Sequence, residues 1–349
     1  MELINTTGNI TSGAPTSRTA EEMLFEREQS LSPARAALRR FLRDRRALFC
    51  LGLVLFLVLF SFVFPPIYLH LGPTINGTAA TGPALGPEKY HTASYNDLNV
   101  SDGAPTLFPL GPHSIVHPLG ADTNGRDILI RLMGGIKTSI TIALAVEIFD
   151  VGLGLLLGTL AGFFGGWLET VLSRFTDIMF AFPGLLLIIL IGATLGPPFD
   201  ERFPGGAGRV LLIILAVGVI AWPLMMRYVR GETLALKERQ YVEAARTVGT
   251  SNSRIILRHI IPNLLNIVII AATLNVLGTI TLEAAISFLG VGLQEPSTSL
   301  GLMISDAEPS IYTIQSELLI PAVTLVTLIV CLAFIGDGVR DAFDPRTKD

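Results

Sequence analysis

Three carboxylates, Glu147, Asp150 and Glu283, stand inside long apolar runs of the sequence. A carboxylate at the centre of a bilayer costs at least about 2.5 kcal/mol, so such groups usually face a cavity or a partner. Two roles are open to them: part of a substrate path, or hydrogen bonding to a neighbouring helix. Motifs that could do covalent chemistry fail on inspection. Lys137 and Thr138 follow Ile136, so GGIKTS lacks the Gly-Lys-Ser/Thr of a phosphate-binding loop. Gly152, Gly154 and Gly158 have the wrong spacing for a dinucleotide fingerprint and lie within an apolar run. The five histidines are scattered without metal-ligand spacing. The expectation is a chain with no catalytic residue, no metal site and no cofactor of its own. If it does work, another chain supplies the energy.

The elements that must position these residues are membrane helices. Half of the 349 residues are hydrophobic and only 15% are charged, with a mean hydropathy of +0.58. Soluble domains carry roughly a quarter charged residues, so this composition belongs in lipid. Six runs reach the roughly 20 residues needed to cross about 30 Å of hydrocarbon. They lie at 47–64, closed by Pro65 and Pro66, then at 138–163, 175–195, 210–226, 263–289 and 318–336. Pro183, Pro223 and Pro321 fall inside these runs, where kinks are tolerated if neighbouring helices satisfy the freed carbonyls. Gly154, Gly158, Gly162 and Gly166 recur every four residues, a strip of one helix face that lets a second backbone come close. Cys50 and Cys331 both sit in apolar runs and read as small buried hydrophobes, not a disulfide. A cleavable signal is not expected, because 46 mostly polar residues precede the first apolar run.

Basic residues set the expected orientation. The first 46 residues hold eight arginines, residues 227–258 hold seven Lys or Arg, and the tail after 336 holds three. Residues 289–317 hold none, but carry Glu295, Asp306, Glu308 and Glu317. The positive-inside rule then places both termini, a turn at 164–174 and the 227–262 loop in the cytoplasm. The arginine-rich arm alternates with Leu38, Phe41 and Leu42 and abuts a span. It reads as a membrane-surface helix and not as a nucleic-acid-binding arm. The Pro-, Gly-, Thr- and Asn-rich stretch after the first span reads as an irregular external loop.

The interruption YVEAARTVGTSNSRIILRHIIPN, residues 241–263, is polar and charged between two apolar runs. Tyr241, Ala244, Ala245 and Val248 recur at helical spacing as one apolar stripe, while Gln240, Glu243 and Thr247 share another face. Gly249 falls where a left-handed residue closes a helix. Thr250 or Ser251 can cap the helix that follows, which sets Arg254 and Arg258 beside Ile255, Ile256 and Ile260. Pro262 is expected to bend the chain into the fifth span. Such a small amphipathic helix suits a groove on a soluble protein.

Glu243, Ala244, Ala245, then Gly249, then Pro262 resemble the "EAA" loop of ABC importer permeases. His259, Ile260, Ile261, Pro262 and Asn263 are similar to the peptide/nickel permease subfamily. Three further stretches resemble that subfamily: His117 to Asp127 (HPLGADTNGRD), Ser287 to Gly292, and Gly336 to Arg346. Two departures fall on the external side. Leu300 stands before Gly301 where the subfamily usually carries Trp, and Ala322 follows Pro321 where it usually carries Gly. The resemblance covers about residues 35–349.

The resemblance implies an all-α, six-span subunit of the type I ABC importer permease fold in a bacterial-type inner membrane, importing peptides or similar small solutes, alternatively nickel. It implies a cytoplasmic arm at 1–46, a first span at 47–64, an extracytoplasmic loop at 65–135, a five-span core at 136–337 with a coupling loop at about 232–262, and a cytoplasmic tail at 338–349. It also implies a second, similar but not identical permease subunit, two ATPase subunits holding ATP and magnesium, and an extracytoplasmic solute-binding protein. In that scheme Glu243 pairs with a basic residue of the ATPase. Gly249 permits the turn, and Ala244 and Ala245 pack in the ATPase groove. Two rivals are weighed against it. An ion-driven secondary transporter predicts inverted repeats and broken helices in matching halves, and a membrane enzyme predicts convergent catalytic groups at one depth. Neither pattern is visible in the sequence.

Overall fold

The computed structural model describes residues 33–75, 119, 122, 128–312 and 315–343. Most of the expected external loop, the distal tail, and His117, Gly125, Arg126 and Asp127 of one motif lie outside the described residues. Everything described is helix or short connection, with no strand among the described residues. A short helix α1 (Pro33–Phe41) precedes α2 (Arg45–Ile75) and α3 (Ile128–Phe164). Then come α4 (Gly166–Ala181), α5 (Gly184–Arg202) and α6 (Ala207–Leu236). A small helix α7 (Gln240–Thr247) leads to α8 (Asn252–Ile255), a π-helical segment (Ile256–Ile260) and α9 (Ile261–Phe288). The chain closes with α10 (Leu300–Ala307) and α11 (Gln315–Phe343).

Among the described residues, six helical stretches are long and apolar enough to cross a membrane: α2, α3, α5, α6, the continuous run from α8 to α9, and α11. Helices are forced here because a lipid-facing backbone finds no water to bond. Three expected boundaries move. The helix of α2 passes through Pro65 and Pro66 to Ile75 instead of ending at them, and α3 starts at Ile128, ten residues before the apolar run at 138. The third span is not at 175–195. Phe182 is extended (φ −89°, ψ 134°), since the ring of Pro183 disfavours helix in the residue before it, and the span begins afresh at Gly184. What remains, α4, replaces the expected turn at 164–174 with an amphipathic helix. It is held to α6 by Arg230 on Glu169, Arg227 on Asp177 at 2.6 Å, and Phe175 stacked on Trp222 at 5.9 Å between ring centres.

The tightest helix pair is α3 with α6. A Cβ added at Gly154 would run into Met225, and one at Gly158 would lie 2.7 Å from the Met226 carbonyl oxygen. At Gly162 it would lie 2.7 Å from Thr233 Cβ. Lys237 Nζ then donates to the Gly162 carbonyl at 3.0 Å, satisfying one of the carbonyls left over where α3 ends. Gly166 does not extend the strip: α3 stops at Phe164, and Gly165 and Gly166 form the turn with φ of 66° and 60°. A four-residue spacing in sequence continues a helix face only while the helix continues. Cys50 and Cys331 are free thiols, both buried between α2 and α11.

Buried side chains form three main layers along the helices. One, beside α10, joins Ile128, Leu132 and Ile136 to Ile280, Met303 and Leu328. The middle layer joins Ile142 and Val146 to Ile213, Val217 and Ile286. The third, on the side of residues 237–260, joins Phe163, Met225 and Leu236 to Val242, Ile255 and Leu264. Overpacking a filled interface costs about 1–3 kcal/mol or more. Gly158→Val is therefore expected to lower the melting temperature of the detergent-solubilised protein. Gly152→Ala, on the same helix with no atom within 4 Å of the added Cβ, leaves it near wild type.

Candidate coupling site

The site begins with an eight-residue helix that is too short to be stable alone. Three contacts hold α7 to the rest of the chain. Val242 is 0% exposed and packs with Phe163, Leu236, Ile255, Ile260 and Leu264. The Arg246 guanidinium lies over the Phe163 ring at 5.3 Å, and the Tyr241 and His259 rings are 6.3 Å apart. Gly249 closes the helix with φ +80°: its N–H donates to the Arg246 carbonyl, and the Thr250 N–H reaches back to the Ala245 carbonyl at 3.0 Å. This is the Schellman arrangement, which needs a left-handed residue at that point. Ser251 takes the N-cap position of α8, yet its hydroxyl caps nothing.

The expected stripe divides in two. Val242, which the helical spacing left out, is the buried anchor, and Ala245 is partly covered beside it. Tyr241 and Ala244 are exposed, and Val248 is 85% exposed. The helix therefore clamps to its own chain on one side. On the other it presents Tyr241, Ala244 and Val248 outward, flanked by the exposed Glu243 and Thr247. A lone amphipathic pattern cannot tell these two faces apart, because both the internal anchor and the outward stripe are apolar.

Pro262 does not interrupt the helix. Residues 252–288 form one continuous helix, with the π-helical turn at 256–260 immediately before it. Pro262 has no N–H and its ring crowds the carbonyl four residues back. The wider π turn, in which the Ile261 N–H donates to the Ile256 carbonyl, opens the ladder at that place. Asn263 Nδ2 donates to the His259 carbonyl at 2.6 Å. His259, Pro262 and Asn263 thus act together as a joint that passes from α8 into the fifth span without a break.

The intramembrane carboxylates part ways. Glu283 is fully buried and accepts from Ser139 Oγ of α3 and from Ser287 Oγ, both at 2.8 Å. That makes it a hydrogen-bonded tie between α3 and the end of α9. Asp150 accepts from Asn275 Nδ2 at 3.0 Å, but its other oxygen has no hydrogen-bond partner among the described residues. Glu147, one turn away and 7% exposed, has none for either oxygen. The three carboxylates share no hydrogen-bond partner among the described residues: Glu283 is tied to Ser139 and Ser287, and Asp150 to Asn275.

One polar cluster escaped the sequence reading. Arg131 is buried and bonds Asp122 at 2.8 Å and Asp306 at 2.6 Å, tying the segment before α3 to α10. A lone arginine at the start of an apolar helix was the available signal, since a buried charge requires a partner. Asp122 lies in one of the family-like stretches and Asp306 in the arginine-free one, and nothing in their spacing joins them.

The fold defines a multi-pass helical membrane protein, and this site is a small helix clamped to its own chain on one side and exposed on the other. Residues 154–349 match the family described as the binding-protein-dependent transport system inner membrane component. Residues 32–99 match the N-terminal TM domain of oligopeptide transport permease C. The chain is 33% identical over 310 residues, 89% of its own length and 94% of the relative's, to the oligopeptide transport system permease protein OppC of Mycobacterium tuberculosis. It is 34% identical to OppC of Haemophilus influenzae, over 94% of this chain and 92% of that one. A dipeptide transport system permease protein DppC of Alkalihalophilus pseudofirmus is 36% identical over 74% of this chain and 79% of its own. Among solved structures, the inward-facing MetNI methionine ABC transporter gives a TM-score of 0.48 at 22% identity, covering 61% of this chain and 96% of that chain. The chain belongs to the family of inner membrane components of binding-protein-dependent transport systems. It is a permease component, and the secondary-transporter alternative is set aside.

Glu283→Ala leaves the buried hydroxyls of Ser139 and Ser287 without their acceptor, at about 1–3 kcal/mol each. The expected outcome is a lower melting temperature in detergent, with a Glu283→Ala/Ser139→Ala double mutant less than additive. Additive losses would remove the tie between α3 and α9.

Proposed function

We propose that this chain is one of two permease subunits of an ATP-driven importer, and that peptides or similar small solutes are its cargo. The cargo class comes from the curated relatives, which are named as oligopeptide and dipeptide permeases. The observation that carries the mechanism is the outward apolar stripe of α7: Val248 exposed, Val242 clamped, and Gly249 turning between them and α8. A monomeric chain gains nothing by exposing that stripe at the end of a buried anchor, whereas a docked ATPase subunit would cover it.

In this reading α7 and the joint that follows are the coupling element. Ala244 and Val248 seat in a groove of the ATPase and Glu243 pairs with a basic residue there. The partner ATPases hold the ATP and magnesium. Closure of the two ATPases displaces α7, and the Val242 anchor transfers that displacement to α6 and to the unbroken helix that becomes the fifth span. A second permease subunit completes the path, and an extracytoplasmic binding protein delivers cargo. Six crossings put both termini on the side of α7, which the arginine distribution makes the cytoplasm. Residues 1–46 and 338–349 are then cytoplasmic, and 136–337 are the transport core with its coupling loop near 232–262.

Gentle solubilisation, capture of this subunit and mass spectrometry test the assembly: an ATPase, a second six-span chain and an exported solute receptor are expected together. Glu243→Lys sets like charges against each other, which costs several kcal/mol, so ATPase retention should fall at least about tenfold. Unchanged co-purification removes Glu243 as an anchor. Gly249→Val places a β-branched residue at positive φ, a strongly disfavoured conformation. ATP hydrolysis is expected to continue while uptake is lost in reconstituted vesicles. Wild-type coupling in that variant would defeat the docked-turn mechanism.

A further inference from the structure

On the face of the molecule formed by α2 and α11, a cleft of about 570 Å³ opens between the two helices. Arg45, Phe49 and Leu53 recur every four residues along α2, so they share one face. Val326, Val330 and Phe334 do the same along α11 and stand opposite. Cys50 and Cys331, both buried, form the base. From Arg45 to Leu53 the groove runs about 12 Å along the helix axis, most of the depth of one leaflet of a bilayer about 30 Å thick. Its walls are apolar and open to the outside: Phe49 is 72% exposed.

The mouth differs in character from the walls. Arg45 and Arg46 line it, and among the described residues neither guanidinium has an ion-pair partner. The nearby Asp44 is occupied in capping α2, its Oδ1 accepting from the Arg46 and Ala47 N–H groups. Helix α1, just before α2 in the chain, adds Arg35, Arg39 and Arg40, and the last turns of α11 carry Asp337, Arg340 and Asp341, so the balance of these segments is positive. Phe41 lies against Gly338 and packs with Cys331 and Ile335, which fixes the end of α1 beside α11, and the exposed Leu38 and Leu42 alternate with the arginines in sequence. That combination belongs at a headgroup boundary.

We propose that this cleft is a binding site for one anionic phospholipid of the leaflet on the α7 side. An acyl chain lies along Phe49, Leu53, Val326 and Val330, and the headgroup phosphate pairs with Arg45 and Arg46. Acyl-chain fit alone suits any phospholipid, and arginines alone suit any anion; only a lipid with net negative charge uses both. A zwitterionic headgroup brings its own cation to the arginines and gains less.

The test is native mass spectrometry of the intact, detergent-purified assembly titrated with dioleoyl-phosphatidylglycerol or dioleoyl-phosphatidylcholine. One phosphatidylglycerol per copy of this chain should survive activation energies that strip phosphatidylcholine. Arg45→Gln with Arg46→Gln should weaken its retention about 25-fold, two near-surface arginines' worth. Arg39→Gln, outside the cleft, changes it far less. Thr327→Trp, which fills the groove, should release the lipid with both arginines intact. Equal retention of the two lipids, or no change in the double-arginine variant, means ordinary surrounding lipid only and overturns the site. So does capture of a protein chain, rather than lipid, by a photo-crosslinking residue at Val330. The measurement uses no ATP and no cargo, so its outcome is independent of whether the import mechanism above is right.

Discussion

The close approach of α3 to α6 is the constraint on which the rest of this structure depends. Lipid supplies no hydrophobic drive to bring two apolar helices together, so van der Waals contact at short range has to do it. Gly154, Gly158 and Gly162 remove the side chains that would hold the axes apart, and Met225, Met226 and Thr233 fill the space they leave. With α6 held there, its lower half extends past the apolar region to Leu236 and carries α7 on a short connection. Phe163, at the end of the same glycine-lined helix, meets both Val242 and Arg246. The helix pair that stabilises the core is thus also the platform for the exposed helix.

A second feature follows from that placement. Val242 joins α7 to α6 and to the helix beginning at Asn252, and the π-helical turn lets that helix run on as the fifth span despite Pro262. At its other end the same span is tied to α3 by Glu283 and Ser139. A displacement applied at α7 therefore meets packed side chains and continuous helix, with no slack loop between. The contrast with Glu147 is instructive. It lies on α3 among the same helices, yet nothing described donates a hydrogen bond to it, so burial near the core does not by itself make a carboxylate a structural tie.

Much of the helical plan was legible in residue order. Lipid thickness sets the length of an apolar run, and that requirement is one-dimensional, so six spans and the polar interruption at 241–263 could be read directly. Expected and observed spans part where the backbone rule at one residue outweighs the apolar average around it. Phe182 is pushed out of helical geometry by Pro183, which splits an apparently continuous run into α4 and α5. Gly166 kept the four-residue rhythm of the packing strip but fell past the end of the helix.

The candidate coupling region shows the same division at finer scale. Gly249 was readable as a left-handed helix stop because only local backbone sterics decide it, and those are written in the residue type. The helical spacing of Tyr241, Ala244, Ala245 and Val248 was readable for the same reason. Which apolar residue would be buried was not: Val242 is covered because Ile255, Ile260, Leu264 and Phe163 converge on it from other helices. The pairing of Arg131 with Asp122 and Asp306, 9 and 175 residues away, likewise exists only once α10 is brought beside α3. Sequence by itself determined period, length, charge placement and the turn glycine, all properties of a chain and its nearest neighbours. Tertiary structure decided which face of each helix is inside, because burial is a relation between segments that only packing brings together.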